Sequence, residues 1–200
     1  MTTRNLAILI FDDVEVLDFC GPFEVFSVTG RRSNLTPFNV FTVAQNAAPV
    51  TAVNGLSVNP AFTLAQCPRP DILLVPGGLG TRKEIYNAPL LDWISRCGKE
   101  VELLLSVCTG ALLLGKAGLL DGLSATTHHN GIALLQEVAP KATVLQNTRI
   151  VDNGRVVLSA GISAGIDMSL HVVSRLLGPE LAAETATYME YDWLPEKASR

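Results

Sequence analysis

The sequence predicts an α/β fold: a doubly wound, mainly parallel sheet with helices on both faces and an added antiparallel hairpin. Short apolar runs of strand length alternate with segments of helical periodicity, as expected when strands are buried on both faces. Two of these runs pass through Gly-marked turns at their carboxyl ends. A single Asn153-Gly154 pair between two β-type runs signals the hairpin.

Asn5 to Phe11 is the first buried strand, and the acidic loop Asp12-Asp13-Val14-Glu15 follows it. Gly21-Pro22 then opens a helix, with Pro22 suited to a first turn. Phe38 to Ala44 reads as a second strand, and Asp71 to Pro76 as a third that ends in Gly77-Gly78. Pro89 to Lys99 has its apolar residues at helical spacing. Val101 to Val107 is a further strand, apolar apart from Glu102 and Ser106, and a helix through Gly115 follows directly. Ala125 to Thr127 reads as a short strand and Ile132 to Val138 as a helix. Arg149 to Asp152 and Arg155 to Ala160 flank the hairpin turn. Ser163 is suited to cap a helix to about Leu177, Gly178-Pro179 ends it, and Glu180 to Met189 forms the last helix. No repeat or linker divides the chain, so one domain over residues 1–200 is expected.

Apolar residues make up 48% of the 200 and charged residues 17%, which excludes a disordered chain. The net charge of −4 gives no basic footprint for nucleic acid. The mean hydropathy of +0.32 raises the question of a membrane span. The best stretch, Leu103 to Gly115, is bounded by Glu102 and Lys116 and falls short of the roughly 20 residues that cross a bilayer. The N-terminus runs straight into a strand with no signal-peptide pattern, so a cytoplasmic protein is expected. Cys20, Cys67, Cys97 and Cys108 show no CxxC spacing, and neither a metal site nor a cofactor is indicated.

Chemistry concentrates in Leu103-Leu-Leu-Ser-Val-Cys108-Thr109-Gly110-Ala111. A buried strand stops, a single nucleophile follows, and a helix begins. That arrangement presents Cys108 at the carboxyl edge of the sheet as a nucleophile elbow, with Gly110 permitting the tight backbone. The helix N-terminus is expected to lower the thiol pKa. Gly77 and Gly78, ending another strand, are candidate oxyanion-hole donors beside the Thr109 N–H. Asp12, Asp13, Glu15 and Asp18 all fall at the same edge, and local reading does not choose an acid among them. Asp18 also suits an N-cap of the Pro22 helix. His128 or His129, at the end of a short strand, can face the site. His171 lies one turn after Asp167 and reads as a solvated pair with it.

Four motifs carry a resemblance: Leu17-Asp18-Phe-Cys-Gly21-Pro22-Phe-Glu24-Val-Phe26, Asp71-Ile-Leu-Leu-Val-Pro76-Gly77-Gly78, Ser106-Val-Cys108-Thr109-Gly110-Ala and Ala125-Thr-Thr-His128. With the tail motif Ala164-Gly165-Ile166-Asp167, the whole length resembles the DJ-1/PfpI superfamily, of class I glutamine-amidotransferase-like fold. The resemblance implies a flavodoxin-like, DJ-1-like sandwich. Within the superfamily the chain is most similar to isonitrile hydratases. That implies Cys108 as nucleophile, Thr109 as its necessary neighbour and Asp18 as acid-base partner, with Gly77, Gly78, Gly110 and His128 around the substrate. It also implies a lyase that hydrates isonitriles, without cofactor, acting on a small molecule as a homodimer. Two positions depart from the pattern: His129 stands where those enzymes carry Trp, and Ser159-Ala160-Gly161 replaces a glycine-only run. The same motifs occur in sensor domains of AraC-type transcription regulators. Tyr188 to Arg200 carries no helix-turn-helix pattern, which favours the enzyme. Amidase, protease and glyoxalase or deglycase activities of other superfamily members remain alternatives.

Overall fold

A computed structural model of the chain describes residues 2–195. Met1 and residues 196–200, the end of the tail read for a helix-turn-helix, lie outside the described residues. The first apolar run forms β1 (Arg4–Leu9), and α1 (Val16–Val28) and β2 (Phe38–Ala44) follow. Three two-residue strands come next: β3 (Val50–Thr51), β4 (Ser57–Val58) and β5 (Phe62–Thr63). The middle of the chain supplies β6 (Ile72–Val75), α2 (Thr81–Glu84), α3 (Ala88–Glu100), β7 (Leu103–Val107) and α4 (Gly110–Lys116). After β8 (Ser124–Ala125), α5 (Ile132–Val138) and β9 (Thr143–Val144) come β10 (Ile150–Asp152) and β11 (Val156–Ser159). Helices α6 (Ala164–Leu177) and α7 (Pro179–Tyr188) close the described chain.

The main sheet has the order β10-β11-β7-β6-β1-β2-β5, and only the β10–β11 pairing is antiparallel. This is the doubly wound, mainly parallel class expected. Its centre is apolar because it is covered on both faces: Leu6 to Leu9, Ile72 to Val75, Leu104 and Leu105 are wholly buried. From β1 the chain first builds outward through β2 and β5, then returns to add β6, β7 and β11 on the other side. The winding therefore reverses beside β1, and loops diverge there at the carboxyl ends of the strands. Among the described residues no helix is long and apolar enough to cross a membrane.

Several local expectations are corrected. Helix α1 starts at Val16, so Pro22 lies inside it rather than in its first turn. An interior proline removes the N–H that would reach the Asp18 carbonyl, a loss of about 3 kcal/mol. Packing against α6 and α7 compensates. Gly165 lets α6 approach β7, since a Cβ there would lie 2.9 Å from Val107 Cγ1. The early start also removes Asp18 from the N-cap, a position taken by Glu15. Ser163 does precede α6, but its side chain makes no capping bond and instead accepts from Arg149 at 3.3 Å. His171 does not pair with Asp167. Its Nε2 lies 2.8 Å from Asp152 Oδ2, while Asp167 takes Arg149 and Tyr191. The hairpin forms, with Gly154 alone in a left-handed conformation (φ 81°) and its N–H donating to Asp152 Oδ1 at 2.8 Å.

Candidate active site

Cys108 follows β7 directly, with φ of 56°, a left-handed conformation costing a non-glycine residue about 1–3 kcal/mol. The surroundings hold it there. Its N–H donates to Ser159 O and Ala160 O at 3.1 and 3.2 Å, and the Thr127 hydroxyl donates to its carbonyl at 2.8 Å. Gly110 then packs α4 on the end of β6, where a Cβ would fall 2.0 Å from Val75 O. Its role is this close approach; it does not line the cavity beside Cys108, as the sequence reading had placed it.

Asp18 is wholly buried in the first turn of α1. The loop before it is stitched to the end of β6: Val14 bridges Gly78, and Glu15 N–H donates to Gly77 O at 2.9 Å. That placement aims Asp18 across the sheet edge. Its Oδ2 accepts from Gly77 N–H at 3.0 Å, while Oδ1 is buried without a well-formed hydrogen bond among the described residues. The Cys108 thiol lies within interaction distance of the same carboxyl. Of the four acids in the β1–α1 region, Asp18 is the one that reaches the thiol. Asp12 instead accepts from Thr51 N–H at 3.0 Å.

The two glycines expected as oxyanion donors are already engaged. Gly77 N–H serves Asp18, and Gly78 N–H donates to Thr109 Oγ1 at 3.0 Å. Their contribution here is positional: they hold the acid and the residue after the nucleophile. A Cβ on Gly77 would lie 2.5 Å from Thr109 N and 2.8 Å from Asp18 Oδ2. The Thr109 hydroxyl also lies 3.2 Å from both Gly78 O and Thr81 Oγ1. Its backbone N–H points at the Cys108 sulfur and favours the thiolate. Thr81, Thr127 and Arg82, which donates to Gly78 O at 3.1 Å, were not singled out from the sequence. Only Thr127 carried a signal there, as part of the Thr-Thr-His run.

A cavity of about 120 Å3 lies beside the thiol, lined by Cys108, Thr109, Gly78, Glu15, His128 and Ile162 among others. His128 is thus the histidine that faces the site. Its Nδ1 accepts from Asn130 N–H at 3.2 Å, which assigns the proton of the neutral ring to Nε2. Burial and the neighbouring His129 hold it below the ordinary histidine value, so it is neutral at pH 7. His129 stacks on it at 4.0 Å between ring centroids.

The expected lowering of the Cys108 pKa is not what the surroundings produce. Burial, and then the Asp18 charge, push the thiol up to about 12, against the Thr109 donors that favour the thiolate. Burial likewise pushes Asp18 up to about 7. The first proton to leave the pair is therefore that of the carboxyl, which gives a carboxylate beside a protonated thiol. The other three cysteines are half-buried free thiols, with Cys67 pushed up to about 11. No cluster of three or more potential metal ligands exists among the described residues.

The DJ-1/PfpI family profile matches residues 4–175. The chain belongs to the DJ-1/PfpI family. It is 34% identical over 190 residues to the isonitrile hydratase of Pseudomonas putida, covering 94% of this chain and 78% of that enzyme. It is 31% identical over 185 residues to the HTH-type transcriptional regulator CdhR of Pseudomonas aeruginosa, covering 92% of this chain but only 54% of the regulator. Among solved structures, a ThiJ/PfpI family protein from Pseudomonas syringae superposes with a TM-score of 0.86 at 31% identity. The match covers 98% of this chain and 78% of that one.

Proposed function

We propose that this DJ-1/PfpI protein is an isonitrile hydratase, converting R–N≡C to the N-substituted formamide through a thioimidate on Cys108. The observation that carries the reading is the wholly buried Asp18 carboxyl beside the Cys108 thiol. The terminal carbon of an isonitrile accepts a nucleophile only as a proton arrives. Sulfur and a proton therefore both add to that carbon, giving R–N=CH–S–Cys108. In the monoanionic pair Asp18 is the carboxylate and the thiol keeps its proton, so as sulfur attacks, Asp18 takes that proton and passes it to the carbon.

Water then adds to the same carbon, with Asp18 taking its proton and passing one to nitrogen. Collapse of the adduct releases R–NH–CHO and returns the proton to the pair. Overall one water is consumed, and nothing is oxidised or reduced. The Thr109 N–H stabilises the sulfur charge as the water adduct collapses and the Cys108 thiolate leaves. Gly77 and Gly78 fix acid and elbow, and a neutral His128 closes the cavity wall. No step calls for a cofactor.

Loss of cyclohexyl isocyanide with appearance of its formamide tests the reading. Turnover that disappears in Cys108→Ala supports it; no turnover of several isonitriles by reduced protein overturns it. The second reading, a small-molecule sensor domain, is favoured by the similarity to CdhR over 92% of the chain. Binding of a small ligand without turnover is the result that would bring it forward.

A further inference from the structure

Two cavities meet beside Cys108. The smaller one, about 120 Å3, has the thiol on its wall. At about 30 Å3 for each water-sized group, it takes about four such groups: an isocyano head and little else. The larger, about 830 Å3, lies beyond it and does not touch the thiol. Among the described residues, His128 and Ile162 alone line both. The partition is thin. Gly161 leaves its side-chain position to the imidazole, since a Cβ there would fall 2.2 Å from His128 Cδ2.

The large groove has a distinct chemistry. Ile132 and Ala133 give it an apolar stretch just after Gly131, where a Cβ would lie 3.1 Å from Thr109 Cγ2. Gln136, a turn further along α5, offers an amide, as do Gln146 and Asn147. No Asp or Glu lines it among the described residues, although the chain has 19 of them. Arg149 lines it too, but its charge is already opposed by Asp167. The groove therefore offers hydrogen bonds without a net charge, and a cation entering it would lose solvation with no carboxylate to replace it. His129, which departs from the isonitrile-hydratase pattern, also lines this groove and is absent from the cavity at the thiol.

We infer that the substituent of the isonitrile passes between His128 and Ile162 into this groove. The preferred substrates are isonitriles whose elongated substituent is apolar beside the isocyano group and ends in an uncharged hydrogen-bonding group such as a carboxamide. The inference rests on the hydratase reading. His128 and Ile162 act as the gate, and the groove amides select the far end.

The test compares kcat/KM for methyl isocyanide with that for two isocyanides of equal chain length, about six atoms, ending in a carboxamide or an ammonium. The carboxamide is expected to exceed both by at least about tenfold, the scale on which one pocket contact discriminates substrates. Ala133→Trp, at an exposed position inside the groove, should lower the carboxamide-to-methyl ratio about tenfold. Gln136→Leu, also exposed, should lower the carboxamide-to-ammonium ratio without added bulk. Turnover of all three substrates with ratios near one, unmoved by either variant, overturns the inference and leaves the hydratase reading intact. No turnover of any, methyl isocyanide included, overturns both.

Discussion

The Asp18 carboxyl and the Cys108 thiol interact in a buried recess between the first turn of α1 and the head of α4, where the Asp18 charge disfavours the thiolate while the thiol favours the carboxylate. Neither group is held by its own helix. Gly77 N–H positions the carboxyl, and the φ of 56° at Cys108 turns the thiol toward it. The chemistry of the site follows from one proton having two competing owners.

Activity should therefore rise with pH through about 7. Below that value Asp18 keeps its own proton, and the thiol has no base to take its proton as sulfur attacks. Above it the pair is monoanionic, and it stays so until the second proton leaves near 12. The pH profile of kcat/KM and the alkylation rate of Cys108 by limiting iodoacetamide should rise together. An alkylation rate already at its maximum at pH 5 would indicate a thiolate of low pKa and contradict the pairing.

Asp18 should also make stability depend on pH in the sense opposite to an ion-paired acid. Its folded value, about 7, lies above the ordinary 3.8, so between the two the folded state binds more protons than the unfolded. Stability contributed by this group is full below about 3.8 and is lost as pH rises through 7. The loss is about 4 kcal/mol at 1.36 kcal/mol per pH unit. Urea unfolding of wild type and Asp18→Asn at pH 5 and 8 measures it. The variant should gain on the wild type at pH 8, and equal pH dependence in the two would count against the burial argument.

Gly77→Ala should lower kcat about a hundredfold, because displacement of reacting groups by about 1 Å has that effect. The new methyl would sit 2.5 Å from Thr109 N and 2.6 Å from its hydroxyl, driving the elbow from the acid. Overpacking of this kind also lowers stability by about 1–3 kcal/mol. Activity within twofold of wild type would show that the close approach does not matter.

The strands around the site were legible because each is a continuous apolar run: β2 has the bounds read from sequence, and β1, β6 and β7 differ by a few residues at their ends. The elbow was legible for the same reason, as strand, cysteine and glycine follow in register. Asp18 was not separable from its acidic neighbours by local reading. Its aim depends on α1 starting at Val16, and Pro22 pointed to a later start. Strands β3, β4 and β5 are too short to show any period. Ile162 reaches the cavity from a loop distant in sequence. The direction of the Cys108 pKa was misjudged because the helix N-terminus is visible in a sequence, while the burial that outweighs it is not.

A homodimer is expected in solution. Leu17 and Phe23 leave large apolar side chains 38% and 37% exposed on α1. Light scattering at micromolar concentration should give about twice the chain mass of 21.4 kDa. A single-chain mass would contradict it.

The most direct measurement is intact-mass and peptide-mapping analysis of the protein quenched in acid during turnover of an isonitrile. The account predicts an adduct of the mass of one isonitrile on Cys108, absent from Cys20, Cys67 and Cys97. It also predicts that no adduct forms in Cys108→Ser and that in Asp18→Asn it forms much more slowly. Formamide production by Cys108→Ala at the wild-type rate, or an adduct on another cysteine alone, would contradict it.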